Sequence, residues 1–264
     1  MIALCDDVEI GYDDVGTGMP VAFIHGFPHN RTLWAPQVSA LVDRARCIAP
    51  DLRGFGESST NGPYTIDQFA DDVAMLLRSL GIERAVVTGL SMGGYIAFAL
   101  WRRHREMVRA LVLADTRAGI DSEETRAKRI ALMEVARARG SGAVADGQIV
   151  GMIGKSTREK RPALIDDVHR MLGGASVDGI CGALEAMLGR MDSTPTLGTI
   201  DVPTLVVVGA EDVITPVSEA EILRDAIRGS RLEVIEQAGH VSNLERPAAF
   251  NHVLSEFLAA LDYA

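Results

Sequence analysis

Two unbroken apolar runs, Val21-Ala22-Phe23-Ile24 and Leu205-Val206-Val207-Val208, constrain this chain more than any other feature of it. A strand with one wet face alternates apolar and polar residues. A run without alternation suits a strand covered on both faces, as in a parallel sheet sandwiched by helices. Similar short runs recur at Val8–Tyr12, Arg46–Ala49, Ala85–Gly89, Ala110–Ala114 and Leu232–Ile235, each followed by a turn or a helical pattern. Strand–helix alternation of this kind predicts a doubly wound α/β sheet. With 264 residues, 47% of them apolar, the chain can bury one large core.

The helical stretches have legible ends. Thr65-Ile66-Asp67-Gln68 has capping-box spacing, Phe69, Val73, Leu76, Leu77 and Leu80 follow one face, and Gly81 supplies a stop. A last helix begins at Pro247, a favoured first-turn residue, and runs to about Leu261. Between about Arg117 and Pro195 the alternation lapses. Glu123–Arg139 reads as one helix ended by Gly140-Ser141-Gly142, and Arg161–Leu172 and Val177–Arg190 read as two more. The expected organisation is a core of residues 1–116 and 196–264, with a helical cap of residues 117–195 over the carboxyl edge of the sheet.

Composition narrows the function. The net charge of −10 disfavours nucleic acid or an anionic membrane as partner. Residues 117–195 hold 12 Lys/Arg against 11 Asp/Glu, while the rest hold 14 against 25. An Arg-bearing insert on an acidic body can favour an anionic substrate, although solvated charge pairs explain the same pattern. Cys5, Cys47 and Cys181 are too few and too scattered for a metal site or disulfide framework. No apolar run reaches the roughly 18–20 residues of a membrane span, and the first residues lack a signal-peptide pattern. A cytoplasmic protein with reduced thiols is expected. Its oligomeric state stays open, with room for a homo-oligomer.

The chemistry gathers at strand ends. Gly89-Leu90-Ser91-Met92-Gly93 fits G-x-S-x-G between a strand and the helical Tyr95–Arg105. A sharp strand-to-helix turn there strains the serine backbone and presents its hydroxyl at a helix N-terminus, with small neighbours letting adjacent chain pass. Ser91 is the candidate nucleophile. His25-Gly26-Phe27-Pro28 follows another strand, so the backbone N–H groups of Phe27 and Met92 are candidate oxyanion donors. His25 reads as a structural fixture of the turn, and His29 as a residue near the mouth. His240, on the loop after the last strand, is the candidate general base. His104, His169 and His252 read as surface or packing residues. Asp212 and Asp115 both follow strands and either can orient the imidazole. Asp212 is preferred because it gives the order Ser…Asp…His, and Glu211 beside it reads as a solvated turn residue. In Asp51-Leu52-Arg53-Gly54-Phe55-Gly56-Glu57-Ser58, two glycines and a charged pair suggest a tight loop held by Arg53.

Taken together, His25–Pro28, Asp51–Ser58, Gly89–Gly94 and Ala238–His240 resemble the α/β-hydrolase superfamily, from about Gly11 to the end of the chain. Tyr64–Arg84, Gly89–Tyr95 and His240–Glu245 are similar to its carboxylesterase and 3-oxoadipate enol-lactonase branch. The resemblance implies an eight-stranded, mostly parallel sheet with a helical lid, a Ser91–His240–Asp212 triad, no cofactor, no metal, and a small carboxylic ester or lactone as substrate. Ser91 argues against haloalkane dehalogenases and epoxide hydrolases, which place aspartate at this turn, and Met92 departs from proline iminopeptidases. Carbon–carbon hydrolases and cofactor-free perhydrolases share the triad and stay open, as does a non-catalytic ligand-binding receptor on the same fold. In the cap, Met133, Met152, Met171, Leu172, Met187 and Met191 are candidates either for pocket lining or for lid packing.

Overall fold

A computed structural model describes residues 1–261. The strands are β1 (Ile2–Cys5), β2 (Val8–Val15), β3 (Met19–Ile24), β4 (Ala45–Pro50), β5 (Ala85–Leu90), β6 (Val108–Ala114), β7 (Thr204–Gly209) and β8 (Arg231–Ile235). They form one sheet in the order β1-β2-β4-β3-β5-β6-β7-β8, antiparallel at β1–β2 and β2–β4 and parallel elsewhere. The helices are α1 (Ala35–Leu41), α2 (Ile66–Ser79), α3 (Met92–Arg103), α4 (Glu123–Met152), α5 (Lys155–Lys160), α6 (Pro162–Gly173), α7 (Val177–Leu188), α8 (Thr194–Leu197), α9 (Val217–Ala226), α10 (Ser242–Glu245) and α11 (Pro247–Leu261).

The unbroken apolar runs do what their composition requires. Along β3, Val21 and Phe23 enter the core on one face while Ala22 and Ile24 enter the other. Along β7, Leu205 and Val207 divide from Val206 and Val208 in the same way. Phe69, Val73 and Leu76 of α2 and Ile96 and Phe98 of α3 cover one face. Leu33, Trp34 and Leu41, with Phe250, Leu254 and Phe257 of α11, cover the other. Neither face is wet, so neither needs polar residues.

The chain steps outward from β3 to β4 and then returns to place β5 on the other side of β3. That reversal opens a crevice beyond the carboxyl ends of β3 and β5, where ligands bind in open α/β sheets. The loops carrying Phe27 and Ser91 leave from those two ends.

Three departures from the sequence reading have physical reasons. β1 escapes the pattern because it is a short edge strand with Ile2 and Leu4 exposed, so it carries no buried period. The helix beginning at Glu123 does break at Gly140 (φ 78°, ψ 178°), but it resumes at once and reaches Met152. Gly140 has open space around its Cβ position, so the break is a backbone choice and not a packing demand. The short helices α5 and α8 carry too few turns for a periodic signal. Among the described residues no strand lies between Ala114 and Thr204, and no single helix is long and apolar enough to cross a membrane.

The loop after β4 is tight, but Asp51 and Arg53 do not pair with each other. Fully buried Arg53 is held bidentately by Asp72 of α2, with Nε–Oδ2 and Nη2–Oδ1 both 2.6 Å. Asp51 instead accepts the backbone N–H groups of Arg31 (2.8 Å) and Glu57 (2.9 Å) and pairs with the Arg31 guanidinium. This loop also seats α7: a Cβ on Gly179 would lie 1.9 Å from the Gly54 carbonyl oxygen, and the Ser176 hydroxyl donates to that oxygen at 3.0 Å.

Candidate active site

Ser91 sits between β5 and α3 with φ 55° and ψ −113°, a backbone region that costs a non-glycine residue roughly 1–3 kcal/mol. Neighbours hold it there. Its N–H donates to the Ala114 carbonyl at 2.9 Å, and its own carbonyl accepts from Gly94 N–H (2.9 Å) and the Thr116 hydroxyl (2.7 Å). The motif glycines are steric necessities. A Cβ on Gly89 would meet the Gly93 carbonyl oxygen at 2.2 Å, and one on Gly93 would meet that of Ile24 at 2.3 Å. Met92 opens α3, so its N–H belongs to the helix start, where no preceding turn offers an acceptor and the dipole favours negative charge.

The Phe27 loop lies against this turn. A Cβ on Gly26 would fall 3.2 Å from the Ser91 Cβ and 3.0 Å from the Leu90 carbonyl oxygen. His25 fixes the loop: Nδ1 donates to the Gly26 carbonyl at 2.8 Å and Nε2 accepts the Leu52 N–H at 3.0 Å, which ties the ends of β3 and β4 together. His29 is not at an open mouth; it is 1% exposed, and neither ring nitrogen has a partner among the described residues. Burial first, then His25 and His240 nearby, lower its pKa to about 3.

His240 and Asp212 meet in the interior. The His240 Nδ1 lies 2.8 Å from Asp212 Oδ2, and both residues are buried. Asp212 is itself held by a turn: Oδ1 accepts the N–H groups of Ile214 (2.8 Å) and Thr215 (3.0 Å), and Oδ2 the Thr215 hydroxyl (2.7 Å). Burial would raise this carboxyl, but His240 and the Thr215 hydrogen bonds outweigh it and hold it below the usual range. The Nδ1 contact leaves His240 Nε2 as the free face of the ring.

Asp115, the alternative acid, has other partners. Its Oδ1 accepts the Gly209 N–H at 2.8 Å and its Oδ2 the Ser242 hydroxyl at 2.5 Å. Burial foremost, and the nearby Asp212 carboxylate next, push its pKa well above the usual value. Asp115 therefore braces the ends of β6 and β7 against the His240 loop. Glu211, half-buried in its turn, also has a partner besides solvent, since it accepts the backbone N–H of Ser156 at 2.8 Å and its hydroxyl as well.

A cavity of about 290 Å³ opens beside Phe27. Leu132 of α4, Leu184 of α7 and Ile214 supply apolar wall, and Arg117, Lys128 and Arg129 supply cations. None of the candidate methionines lines it. Met133, Met152, Leu172 and Met187 are buried in the clusters that pack these helices, and Met191 is exposed. Of the cations, Lys128 pairs with Glu124 (2.6 Å) and Arg129 with Asp121 (2.6 Å). Arg117 reaches Glu219 only at 3.9 Å, and its Nε has no partner among the described residues. His104, His169 and His252 pair with acids outside the site. No cluster of histidine, cysteine or acidic residues suited to a metal occurs among the described residues.

Sequence reasoning misses two hydroxyls here. Thr215, three residues after Asp212 and before Pro216, had a local signal in its Asx-turn spacing. Thr116 had none, because it reaches Ser91 across the β5–β6 pair.

A family profile described as alpha/beta hydrolase fold matches residues 19–138, and one described as TAP-like protein matches residues 181–262. The chain is 34% identical to 3-oxoadipate enol-lactonase 2 of Acinetobacter baylyi over 94% of this chain and 92% of that protein. A thermophilic esterase from Thermogutta terrifontis, solved with malate bound, superposes with a TM-score of 0.93 at 40% identity, over 96% of this chain and 94% of that one. The enol-lactonase of Burkholderia xenovorans LB400 superposes with a TM-score of 0.91 at 31% identity, over 98% and 100%. On this sequence identity, this sheet and this strand-end geometry, the chain belongs to the α/β-hydrolase superfamily, in its esterase and enol-lactonase branch.

Proposed function

We propose that this protein hydrolyses a small carboxylic ester or lactone through an acyl-enzyme formed on Ser91. One observation supports the reading more than any other: on a sheet whose strand-to-helix turn holds a strained serine, the loop after the last strand carries a buried histidine whose Nδ1 is 2.8 Å from a carboxylate. His240 Nε2 takes the Ser91 proton as Oγ attacks the carbonyl carbon. The N–H groups of Phe27 and Met92 hold the oxyanion, and His240 returns the proton to the departing oxygen. Water, deprotonated by His240, then attacks the acyl carbonyl, and His240 returns that proton to Ser91 Oγ as its bond to the acyl group breaks and the acid leaves. Asp212 holds the imidazole in the required tautomer and stabilises its cation throughout. The helices of residues 117–195 act as a cap on a core of residues 1–116 and 196–264, the last three of which lie outside the described residues. The enol-lactonase and esterase relatives support this reaction class.

The test is hydrolysis of p-nitrophenyl acetate and of a panel of small lactones. Wild type should turn over at least one, and Ser91→Ala should lose about 10⁴-fold or more in kcat. A folded wild type that turns over none of them would refute the reading.

The cavity wall also bears on substrate choice. Arg117, the least neutralised of its cations, favours an ester or lactone that carries its own carboxylate. Arg117→Met should raise KM for a carboxylate-bearing ester about tenfold and leave a neutral ester of equal size unchanged. Equal effects on both would remove the charge preference.

A further inference from the structure

We propose that Glu245 is a positioning residue that locks the general-base loop to the covering helices through the backbone at Gly154 and Gly239. The inference rests on His240 acting as the base. Glu245 is fully buried at the end of α10, five residues beyond His240. Its two carboxylate oxygens face different parts of the molecule. Oε1 accepts the N–H of Gly239, the residue before His240, at 2.8 Å, and Oε2 accepts that of Gly154, where α5 begins, at 2.9 Å.

The two backbones so joined are in direct contact. A Cβ on Gly239 would lie 2.4 Å from the Gly154 nitrogen, and one on Gly154 would lie 2.7 Å from the Gly239 nitrogen. The His240 N–H donates to the Met152 carbonyl at 3.0 Å, so the backbone of the base itself hangs from the end of α4. Arg161, between α5 and α6, closes the arrangement by donating to the carbonyls of Glu245 (2.6 Å) and Leu244 (3.2 Å).

No cation touches the carboxylate of Glu245 among the described residues. A buried carboxylate ordinarily has a cationic partner. Here backbone N–H groups take that place, and burial raises the pKa despite them. The side chain suits this task because it presents two acceptors to two donors. A glutamine in its place turns one acceptor into a donor and leaves Gly154 or Gly239 facing it unpaired. The covering helices and His240 therefore share one mechanical frame, and a shift of the Met152–Ser156 segment moves the base.

The experiment reads that frame without needing turnover. The proton on His240 Nδ1, bonded to Asp212, gives a downfield proton NMR signal, assigned by its loss in His240→Ala. In Glu245→Gln the signal should shift or broaden, with kcat for p-nitrophenyl acetate falling about tenfold to a hundredfold and KM changing little. Arg161→Met, which leaves the carboxylate in place, should shift the signal in the same direction by less. A folded Glu245→Gln with an unmoved signal and a kcat reduced only by its unfolded fraction overturns the proposal. If Glu245→Gln does not fold, Arg161→Met decides: a moved signal supports the coupling and an unmoved one overturns it. Wild type without ester turnover would sink the proposed reaction, and the NMR signal would still report the coupling.

Discussion

Asp115 and Asp212 leave the carboxyl ends of adjacent strands, are both buried, and are driven in opposite directions by their surroundings. Asp212 faces an imidazole and donor groups that want a carboxylate, whereas Asp115 faces one backbone N–H, one hydroxyl and the charge of Asp212 itself. Replacing each by asparagine separates the roles. Asp212→Asn should reduce kcat about 10⁴-fold by favouring the wrong tautomer of His240. Asp115→Asn should keep kcat within a few-fold, because asparagine accepts from Gly209 and adopts the positive φ of 45° at this position at little cost. Steady-state rates with a common ester decide between them. His29 makes a second prediction. Its folded pKa, lowered from 6.5 to about 3, means that the unfolded chain binds a proton over an interval where the folded chain does not. Stability therefore falls as pH drops from 6.5 toward 3, by about 1.4 kcal/mol per pH unit for one such group. His29→Leu should flatten that slope by the same amount in urea titrations at successive pH values. An unchanged slope would mean that His29 takes up its proton in the folded state.

At the scale of elements, the Arg53–Asp72 pair joins the loop after β4 to α2 inside the core. Arg53→Met leaves Asp72 buried without its cation, which costs about 3–5 kcal/mol. The thermal midpoint should fall accordingly, and the double variant Arg53→Met/Asp72→Leu should recover much of the loss. The sequence points to Arg53 as the residue that holds this loop but names no partner for it, because Asp72 lies across the fold in α2. Where a feature depends on its own neighbours in the chain, it was legible. The buried strands, the Thr65 cap of α2, the Pro247 start of α11 and the strand-to-helix turn at Ser91 all belong to that class. Placement at strand ends likewise singled out Phe27, Asp212 and His240, and the structure seats the Gly26 loop against the Ser91 turn and His240 against Asp212. The cavity wall was not legible. Leu132 and Leu184 meet only because α4 and α7 pack together, and periodicity cannot tell which side of a helix faces the cavity and which faces another helix. The methionines show this directly, since their spacing suits either face and packing took most of them inward.

For the whole molecule, Cys5, Cys47 and Cys181 are free and buried. Burial raises all three thiols, Cys47 to about 11. A native sample should thus react slowly with Ellman's reagent and release three equivalents in urea, while fast reaction of one thiol before unfolding would mark a local opening. The division of labour between sheet and covering helices has a practical side. The core supplies the proposed nucleophile, base and oxyanion donors, and the helices supply most of the cavity wall, so exchange of residues 117–195 between relatives is an obvious way to make a chimaera with a new substrate range. The contact of Gly154 with Gly239 sets the terms of that exchange. Two backbones pass here with no room for a methyl group on either side, so a grafted segment with any other residue at the Gly154 position would hold the inserted helices off the Gly239 loop. Compatibility at this seam, more than overall likeness of the inserted helices, decides which chimaeras keep an intact site.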